Sequence, residues 1–343
     1  MSLRILFPDQ IHEGGLDYEQ QVAGGDATFD THHTSNIDEI PESAWAAADG
    51  IVVYHLMALD EKAAALSKRC RIVVRAGVGF DHVDLEAWGR RGIPVCNTPD
   101  YGTTEVADSA IGYMLAFARG IATYDELLRA DPVRNWDYNL APAMLRLRGA
   151  RFGVVGFGRI GTAAALRAKA FGMEVAFYDP YQPNGVELPH NFQRCRNLDE
   201  LLGCCDVISI HTPLTPETRG MIDAKAVAAM KRGAILINTA RGPICNLDAL
   251  YDGLREGRLL AVGLDVLPEE PANPDQRLIA AWQTQEDWIR GRLMVAPHAA
   301  FFSAPASRDI RSKSMQTAML YLRDGVLQNC VNLPFLNKHT VQN

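Results

Sequence analysis

The sequence lacks any apolar run of the length that a membrane-spanning helix requires, which is about 20 residues. Lysine and arginine never occur in runs longer than two, and the formal net charge is −7. Nucleic-acid binding needs a clustered basic surface, so we expect no nucleic-acid partner. The segment Met1–Phe7 is strand-like and too short for a secretory signal, so we expect neither export nor a membrane partner.

Paired cysteine motifs are also absent. The seven cysteines form no C-x-x-C pair, and two of them, Cys204 and Cys205, are neighbours. This pattern argues against a disulfide-stapled secreted domain and is typical of a reducing cytoplasm, where we expect the protein to reside. His32 and His33 are not spaced for one helix face and have no acidic cluster beside them, so we expect no metal site.

What the chain does contain is a regular alternation of short β-branched runs and helical segments. Its 343 residues, 48% hydrophobic and 22% charged, are enough for two globular domains. The alternation predicts an α/β fold with parallel sheets. The predicted strands are Leu3–Phe7, Gly50–Tyr54, Arg71–Val74, Ile93–Cys96, Arg151–Val155, Val175–Asp179, Val207–His211, Ala234–Asn238, Ala261–Leu264 and Arg292–Ala296. The predicted helices are Glu61–Lys68, Asp84–Arg91, Thr103–Arg119, Thr162–Phe171, Ala224–Met230, Leu247–Glu256 and Ala304–Arg323.

A glycine-rich turn near the middle of the chain, Gly156-Phe-Gly158-Arg-Ile-Gly161, is the most informative motif. It follows one predicted strand, precedes a predicted helix, and is followed by a second strand that ends in Asp179. Strand, helix, strand and terminal acid together are the context of a dinucleotide-binding unit. Gly156 allows the tight turn, Gly158 lets the backbone approach a pyrophosphate, and Gly161 lets the helix pack closely on the strand.

The position of this motif predicts the domain organisation, because a complete α/β pattern already precedes residue 100. A nucleotide domain of usual size leaves about forty residues at the end, too few for another domain. We therefore predict two doubly wound parallel-sheet domains. Residues 102–301 form a nucleotide domain inserted into a discontinuous domain of residues 1–101 and 302–343, with the active site in the cleft between them. The irregular segment 130–148 is either an arm that packs on a partner subunit or a long loop.

Three polar residues, Arg241, Glu270 and His298, follow predicted strands of the nucleotide domain. Because the carboxyl ends of parallel strands share one sheet edge, we expect these side chains to converge on the cofactor. Arginine grips a carboxylate bidentately, and histidine exchanges protons near neutral pH. A carboxylate beside a histidine favours the charged ring and fixes its orientation. The alternatives are a solvated turn for Glu270 and a core histidine, satisfied by backbone groups, for His298.

These residues and their surroundings resemble the D-isomer-specific 2-hydroxyacid dehydrogenases, from about residue 50 to residue 335. The motifs that carry the resemblance are the glycine turn with Asp179, Asn238-Thr-Ala-Arg241-Gly242, Leu264-Asp-Val-Leu-Pro-Glu-Glu270-Pro, Pro297-His298, Arg75-Ala-Gly77-Val-Gly79-Phe-Asp81 and Glu105-Val-Ala-Asp108. The segment Pro297-His298-Ala-Ala-Phe301-Phe302-Ser303 is most similar to the C-terminal-binding-protein-like (CtBP-like) branch, which includes bacterial dehydrogenases and animal co-repressors. That branch has tryptophan where this chain has Phe301.

The resemblance implies a Rossmann-like domain inserted into a flavodoxin-like domain, and a homodimer formed through the nucleotide domains. It implies that Arg241 binds the substrate carboxylate and carbonyl, that His298 is the general acid/base, and that Glu270 keeps His298 protonated for reduction. The residues implied to bind the substrate are Gly77, Val78, Gly79 and Arg241. The residues implied to bind the cofactor are Thr104, Gly156, Gly158, Arg159, Ile160, Gly161, Asp179, Thr212, Pro213, Thr218, Thr239, Ala240 and Asp265.

Asp179 favours NAD as the cofactor, because a carboxylate at that strand end accepts hydrogen bonds from ribose hydroxyls and repels a 2′-phosphate. The next residues, Pro180-Tyr-Gln-Pro-Asn, contain no lysine or arginine to bind that phosphate. For Asp265, a structural role in placing Arg241 is the alternative to cofactor contact.

The expected function is the NAD-dependent interconversion of a 2-oxo acid and a D-2-hydroxy acid. Candidate residues for the cleft wall are Tyr54, His55, Leu56, Met57, Phe301 and Phe302, which are mostly apolar and argue against a phosphorylated substrate. The alternative from another class is a dimeric NADH-responsive binding protein like the co-repressors. Formate dehydrogenase is a further alternative, but it is expected to pair glutamine rather than Glu270 with the histidine.

Overall fold

A computed structural model describes residues 2–12 and 15–336. The chain divides into two compact units, one containing the segments before Thr103 and after Phe301, and the other containing Thr103–Phe301. Each unit has its own parallel sheet, so the predicted class of two parallel-sheet α/β units is confirmed. Residue 1 and residues 337–343, which the sequence analysis placed in the first domain, lie outside the described residues.

The first unit contains a five-stranded parallel sheet in the order β2-β1-β3-β4-β5, the doubly wound order of flavodoxin-like folds. Its strands are β1 (Leu3–Phe7), β2 (Ala27–Thr31), β3 (Gly50–Val53), β4 (Ile72–Arg75) and β5 (Val95–Asn97). Its first helices are α1 (Asp17–Ala23), α2 (Glu42–Ala47), α3 (Glu61–Leu66) and α4 (Leu85–Arg90). Strands β3 to β5 are buried along their whole length, which is why they form continuous apolar runs in the sequence.

The second unit contains a seven-stranded parallel sheet in the order β12-β11-β10-β9-β6-β7-β8. Its strands are β6 (Arg151–Val155), β7 (Glu174–Tyr178), β8 (Gln193–Arg194), β9 (Val207–Ile210), β10 (Ala234–Asn238), β11 (Leu259–Leu264) and β12 (Leu293–Val295). Its helices are α5 (Thr103–Arg119), α6 (Ile121–Ala130), α7 (Arg159–Ala170), α8 (Leu198–Cys204), α9 (Ala224–Ala229), α10 (Leu247–Arg255) and α11 (Arg277–Gln283). The strand order reverses between β6 and β9, the place where such sheets bind ligands.

The last helix, α12 (Ala304–Asp324), returns the chain to the first unit. Arg311 of this helix forms a bidentate pair with Glu19 of α1, at 2.7 Å from Nε to Oε1 and 2.6 Å from Nη2 to Oε2. Both residues are buried, and Arg311 also donates to the Gly15 carbonyl at 2.6 Å. A buried arginine–carboxylate pair of this geometry fixes the register of α12 on α1.

The chain between α5 and β6 begins with α6, a helix that the sequence analysis did not predict and that ends at Ala130, where the expected irregular segment begins. After α6 the chain forms only a short 3-10 turn at Tyr138–Leu140. Trp136 and Tyr138 are 80% and 82% exposed. Both interpretations of this segment, arm or loop, therefore stay open, and the homodimer stays a prediction. Within the described ranges, no helix combines the length and apolar character needed to cross a bilayer.

Candidate functional site

The glycine turn connects β6 to α7 at the carboxyl edge of the second sheet. Gly156 has a φ of +91°, and a Cβ atom there would lie 2.8 Å from the backbone of His211. A Cβ on Gly161 would lie 2.1 Å from the Gly156 carbonyl oxygen, so helix and strand pack with no room for a side chain. At Gly158 a Cβ would meet nothing within 4 Å. Of the three glycines, only Gly158, which directly precedes α7, therefore leaves room for a ligand beside its Cα atom.

This space fits a dinucleotide phosphate. Gly158 is the N-cap of α7, where backbone N–H groups and the positive end of the helix dipole attract anions. The hydroxyl groups of Thr212 and Thr239 are buried, and neither has a hydrogen-bond partner among the described residues. Buried polar groups without partners are uncommon in folded proteins and are satisfied when a ligand binds. Thr239 directly follows β10, and Thr212 lies two residues after the end of β9.

Asp179 directly follows β7 and is held by two backbone groups. Its Oδ2 accepts the Phe157 N–H and its Oδ1 accepts the Tyr181 N–H, each at 2.9 Å. Arg194 of β8 approaches the same segment and donates to the Asp179 carbonyl oxygen at 3.4 Å. The Arg194 guanidinium also pairs with Glu187 at 3.1 Å, so its charge is compensated within the unit.

The remaining predicted cofactor residues differ in their surroundings. Thr104, in the first turn of α5, donates its hydroxyl to Glu105 at 2.7 Å. The Thr218 hydroxyl donates to the Pro213 carbonyl at 2.7 Å and accepts the Thr215 N–H at 2.8 Å. Thr218 and Pro213 therefore shape the loop after β9. Arg159 and Ile160 form the first turn of α7, beside the open glycine.

Arg241 lies on a turn after β10 that a buried asparagine organises. The Asn238 side chain accepts the Ala240 N–H at 3.0 Å and donates to the Arg241 carbonyl at 2.9 Å. The Arg241 guanidinium donates to the Ala240 carbonyl at 2.7 Å. A Cβ on Gly242 would lie 1.9 Å from the carbonyl carbon of Leu267, so this turn abuts the loop that leads to Glu270.

Glu270 and His298 form a hydrogen-bonded pair. Oε2 of Glu270 lies 2.8 Å from Nδ1 of His298, and Oε1 accepts the Leu267 N–H at 2.9 Å. Burial raises the pKa of the Glu270 carboxyl. His298, the Leu267 N–H and Arg241 together lower this pKa by more than burial raises it, so the net shift is downward. The carboxylate is therefore ionised near neutral pH, where it orients the imidazole and favours its charged form. Glu270 is also exposed, so the alternative of a solvated turn stays open.

Asp265 places the histidine. Its carboxylate accepts the N–H groups of Ala299 at 2.9 Å and Ala300 at 3.0 Å, while the His298 N–H donates to the Asp265 carbonyl at 2.8 Å. His298 itself has a φ of +54°, which a residue other than glycine adopts only when its surroundings impose it. The geometry thus gives Asp265 a structural role, directed at His298 rather than at Arg241.

The predicted substrate loop, Gly77 to Gly79, lies in the first unit after β4. Gly77 has a φ of +145°, and a Cβ there would lie 1.2 Å from the Arg75 guanidinium. Asn97 donates from Nδ2 to the Val78 carbonyl at 2.7 Å, and the Thr98 N–H donates to the Gly77 carbonyl at 3.0 Å. The end of β5 therefore fixes the shape of this loop.

Two residues predicted for the cleft wall are instead part of the core of the first unit. Tyr54 is 1% exposed and Met57 is 0% exposed. The carboxylate of Asp9 causes this placement, because it accepts the N–H groups of Tyr54 and Leu56 at 2.8 Å and of Met57 at 3.1 Å. Burial raises the pKa of Asp9 to about 6, against the lowering effect of those three N–H groups.

Sequence reasoning gave no role to three residues that shape these loops: Asp9, Asn97 and Asn238. Each is buried, and each satisfies backbone groups of a neighbouring turn. Asn97 and Asn238 end strands, and Asp9 lies two residues after β1. A polar residue at the end of an apolar run was the available signal, although it does not reveal which turn the side chain will reach.

The profile of the family described as D-isomer specific 2-hydroxyacid dehydrogenase, NAD binding domain, matches residues 111–300. The chain is 34% identical over 277 residues to a glyoxylate reductase from Korarchaeum cryptofilum, covering 80% of each protein. Over 97% of its own length it is 32% identical to a D-3-phosphoglycerate dehydrogenase from Methanocaldococcus jannaschii, but it spans only 60% of that longer protein.

Two solved structures share the fold across nearly the whole chain. One is D-lactate dehydrogenase from Aquifex aeolicus in complex with NAD and lactic acid, with 27% identity, a TM-score of 0.82, and coverage of 96% of this chain and 99% of that chain. The other is an NADPH-dependent glyoxylate/hydroxypyruvate reductase from Sinorhizobium meliloti in complex with NADP and malonate, with 26% identity, a TM-score of 0.85, and coverage of 98% and 99%.

Proposed function

We propose that this chain, which belongs to the D-isomer specific 2-hydroxyacid dehydrogenase family and carries its NAD-binding domain, reduces 2-oxo acids to D-2-hydroxy acids with NADH. The observation that carries this proposal is the Glu270–His298 pair at 2.8 Å, in the same unit as the Arg241 turn and the glycine turn. A proton donor, a carboxylate clamp and a dinucleotide site are the parts that this reaction needs.

The bound nicotinamide supplies the hydride that reduces the carbonyl carbon. His298 supplies the proton to the carbonyl oxygen from Nε2, because Nδ1 is directed at Glu270. The ionised Glu270 stabilises the imidazolium before the transfer and holds the ring in place during it. In the oxidative direction the same ring, in its neutral form, accepts the hydroxyl proton.

Arg241 binds the substrate carboxylate and polarises the carbonyl group. Its guanidinium is planar and presents parallel N–H groups, which match the two oxygens of a carboxylate. The side chain of Asn238 fixes the turn that carries it, so little rearrangement is needed when substrate binds. We assign the backbone N–H groups of Val78 and Gly79 to the same carboxylate.

We propose NAD rather than NADP as the cofactor, on the basis of Asp179. Its carboxylate is fixed at the end of β7, and the nearby Arg194 is already paired with Glu187. Asp179→Gly should lower the ratio of kcat/KM for NADH to that for NADPH at least about tenfold, a change of about 1.4 kcal/mol. Glu174→Gln, at the opposite end of β7, is the matched control and should leave the ratio unchanged. A wild-type preference for NADPH would contradict the assignment.

For the substrate class we propose small, unphosphorylated 2-oxo acids, with glyoxylate and hydroxypyruvate first. Three of the similar proteins are reductases or dehydrogenases of glyoxylate, hydroxypyruvate or lactate, whereas the relative from Methanocaldococcus jannaschii is a dehydrogenase of a phosphorylated acid. The exposed Leu56 and Phe302, at 40% and 67%, are the candidate wall residues that keep an apolar surface accessible.

The experiment that tests the function is a screen of NADH oxidation with glyoxylate, hydroxypyruvate, pyruvate, longer 2-oxo acids and phenylpyruvate. We expect turnover with at least one of the small acids. Tight NADH binding without turnover on any of them would favour the alternative of an NADH-responsive binding protein. Oxidation of formate with NAD would favour the alternative of a formate dehydrogenase.

A further inference from the structure

Two cysteines of the first unit, Cys96 in β5 and Cys330 in the segment after α12, face each other across an isolated antiparallel bridge. The N–H group that follows each cysteine donates to the carbonyl group that precedes the other, at 3.1 and 2.8 Å. This pattern makes the two cysteines a non-hydrogen-bonded pair, whose Cα atoms lie about 4.5 Å apart. Disulfides form at Cα separations of about 4.4 to 6.8 Å, so the backbone already has a suitable spacing.

A buried asparagine two residues beyond Cys330 holds this register. Oδ1 of Asn332 accepts the Val95 N–H at 2.8 Å, and Nδ2 donates to the Ile93 carbonyl at 3.0 Å. Asn332 is 0% exposed, so water does not compete for these bonds. The chain on both sides of Cys330 is therefore fixed to β5 and its approach, and the two thiols are held as neighbours.

The two thiols differ in access and in reactivity. Cys96 is fully buried, whereas Cys330 is partly exposed. The Cys330 thiol donates to Oδ1 of Asn332 at 3.2 Å. The neighbouring Cys96 thiol lowers the pKa of Cys330 despite the opposing effect of burial, and Cys330 in turn raises the pKa of Cys96. The thiolate is the reactive form of cysteine, so Cys330 is suited to meet an oxidant and Cys96 to react second.

We propose that Cys96 and Cys330 are a redox modification site at which a peroxide forms a disulfide that joins the two chain segments of the first unit. The Cys330 thiolate attacks a peroxide oxygen, the O–O bond breaks, and a sulfenic acid forms. The Cys96 sulfur then attacks the Cys330 sulfur, the S–O bond breaks, and water leaves. In sum, two thiols lose two electrons and two protons, and the peroxide is reduced to water and an alcohol, or to two waters.

The position of the crosslink distinguishes it from any disulfide among the other cysteines. Cys204 and Cys205, with sulfur atoms 3.7 Å apart, enclose no loop because they are neighbours. A link between Cys96 and Cys330 encloses the whole second unit, Thr103–Phe301. It therefore makes the unfolded chain more compact and restricts its conformations strongly, which raises the unfolding temperature.

The test treats the purified wild-type protein with hydrogen peroxide, blocks remaining thiols by alkylation, and follows the chain on a non-reducing denaturing gel and by peptide mapping. We expect a faster-migrating band, a linked peptide pair containing Cys96 and Cys330, and reversal by dithiothreitol. The unfolding temperature of the oxidised protein should rise by roughly 5 °C or more.

Cys330→Ser and Cys96→Ala should abolish the faster band, and Cys204→Ser, the matched control at another partly exposed thiol, should retain it. Recovery of Cys96 and Cys330 as separately alkylated peptides from oxidised wild type would overturn the proposal. Conversion of Cys330 to a sulfinic acid without a link to Cys96 would overturn it too. The gel readout needs no turnover, so its outcome is separate from that of the activity screen.

Discussion

At the scale of single residues, the reactivity expected of His298 depends on the groups that hold its ring. One carboxylate oxygen of Glu270 accepts the Leu267 N–H, and the other is hydrogen-bonded to Nδ1 of His298. The carboxylate therefore has little freedom to rotate away. Asp265 fixes the backbone from His298 to Ala300, because it accepts the N–H groups of all three residues. The acid/base group is thus positioned before substrate arrives, which removes an entropic cost from the reaction.

Replacing the carboxylate clamp should be the most damaging single change. Arg241→Ala removes both the bidentate contact and the polarisation of the carbonyl group, so kcat/KM for the 2-oxo acid should fall by roughly 100-fold or more. Arg241→Lys keeps the charge without the planar fork and should recover only part of the loss. Steady-state kinetics test this, with the exposed Arg232→Ala as control. Near-normal turnover of Arg241→Ala would refute the assigned role.

The pH profile should report the Glu270–His298 pair. The pKa of Glu270 is shifted downward, so above its ordinary range of about 4.3 the carboxylate is ionised and favours the imidazolium. Glu270→Gln removes that charge, and the alkaline limit of the reduction should move to lower pH. The oxidation, which uses the neutral ring, should instead extend to lower pH.

Kinetics of both directions across the pH range measure this shift. Glu269→Gln is the matched control, because Glu269 is the exposed neighbour of Glu270 and should leave the profile unchanged. An unaltered profile in Glu270→Gln would mean that the pair seen in the structure does not set the proton transfer.

At the scale of elements, the glycine turn shows how a local sequence pattern carries both folding and binding information. The strands β6 and β7 were predictable because both are largely buried apolar runs, followed by Gly156 and by Asp179 respectively. The start of α7 was predicted three residues late, at Thr162 rather than Arg159, because Gly158 acts as N-cap without a capping side chain. Gly161, a weak helix former, lies inside the helix because close packing requires it there.

Two substitutions in this turn should separate binding from stability. Gly158→Ala places a methyl group in open space, so folding is retained while NADH binding weakens at least about tenfold. Gly161→Ala forces a Cβ to 2.1 Å from a carbonyl oxygen and should lower the unfolding temperature by roughly 5 °C or more. NADH fluorescence titration and thermal unfolding measure the two effects. A Gly158→Ala protein with wild-type affinity would contradict the phosphate site.

Other elements were not predictable from local pattern. Strand β2 (Ala27–Thr31) is polar and partly exposed along its length, because it is the edge strand of its sheet. Strand β8 contains only Gln193 and Arg194. Both are set by pairing with a neighbouring strand rather than by their own hydrophobicity, so propensity carries no signal for them.

At the scale of the whole molecule, the position of the glycine turn in the chain predicted the domain organisation, which no single helix or strand indicated. A nucleotide turn near residue 156, after a complete α/β pattern, indicated that the last helix belongs to the first domain. The buried Arg311–Glu19 pair supplies the physical reason for that return, and it joins residues 292 positions apart. Sequence reasoning did not anticipate this pair, because a charge in an amphipathic helix is ordinarily exposed.

For the candidate site, the sequence predicted the residue types but not the contacts that orient them. The chemistry of Arg241, Glu270 and His298 followed from residue type and from their places after strands. The orientation of Glu270 towards His298, and the role of Asn238 beneath Arg241, depend on turns whose geometry comes from long-range contacts. The same limit explains Tyr54 and Met57, which Asp9 draws into the core.

Reduction of hydroxypyruvate or pyruvate, whose products are chiral, with NADH deuterated at C4 of the nicotinamide would test the proposed hydride transfer, with chiral and mass analysis of the product as the readout. We expect a D-2-hydroxy acid with one deuterium at C2 for each labelled hydride transferred. An L product would contradict the proposed function. A product without deuterium would contradict it too, when both hydrogens at C4 of the cofactor are replaced by deuterium.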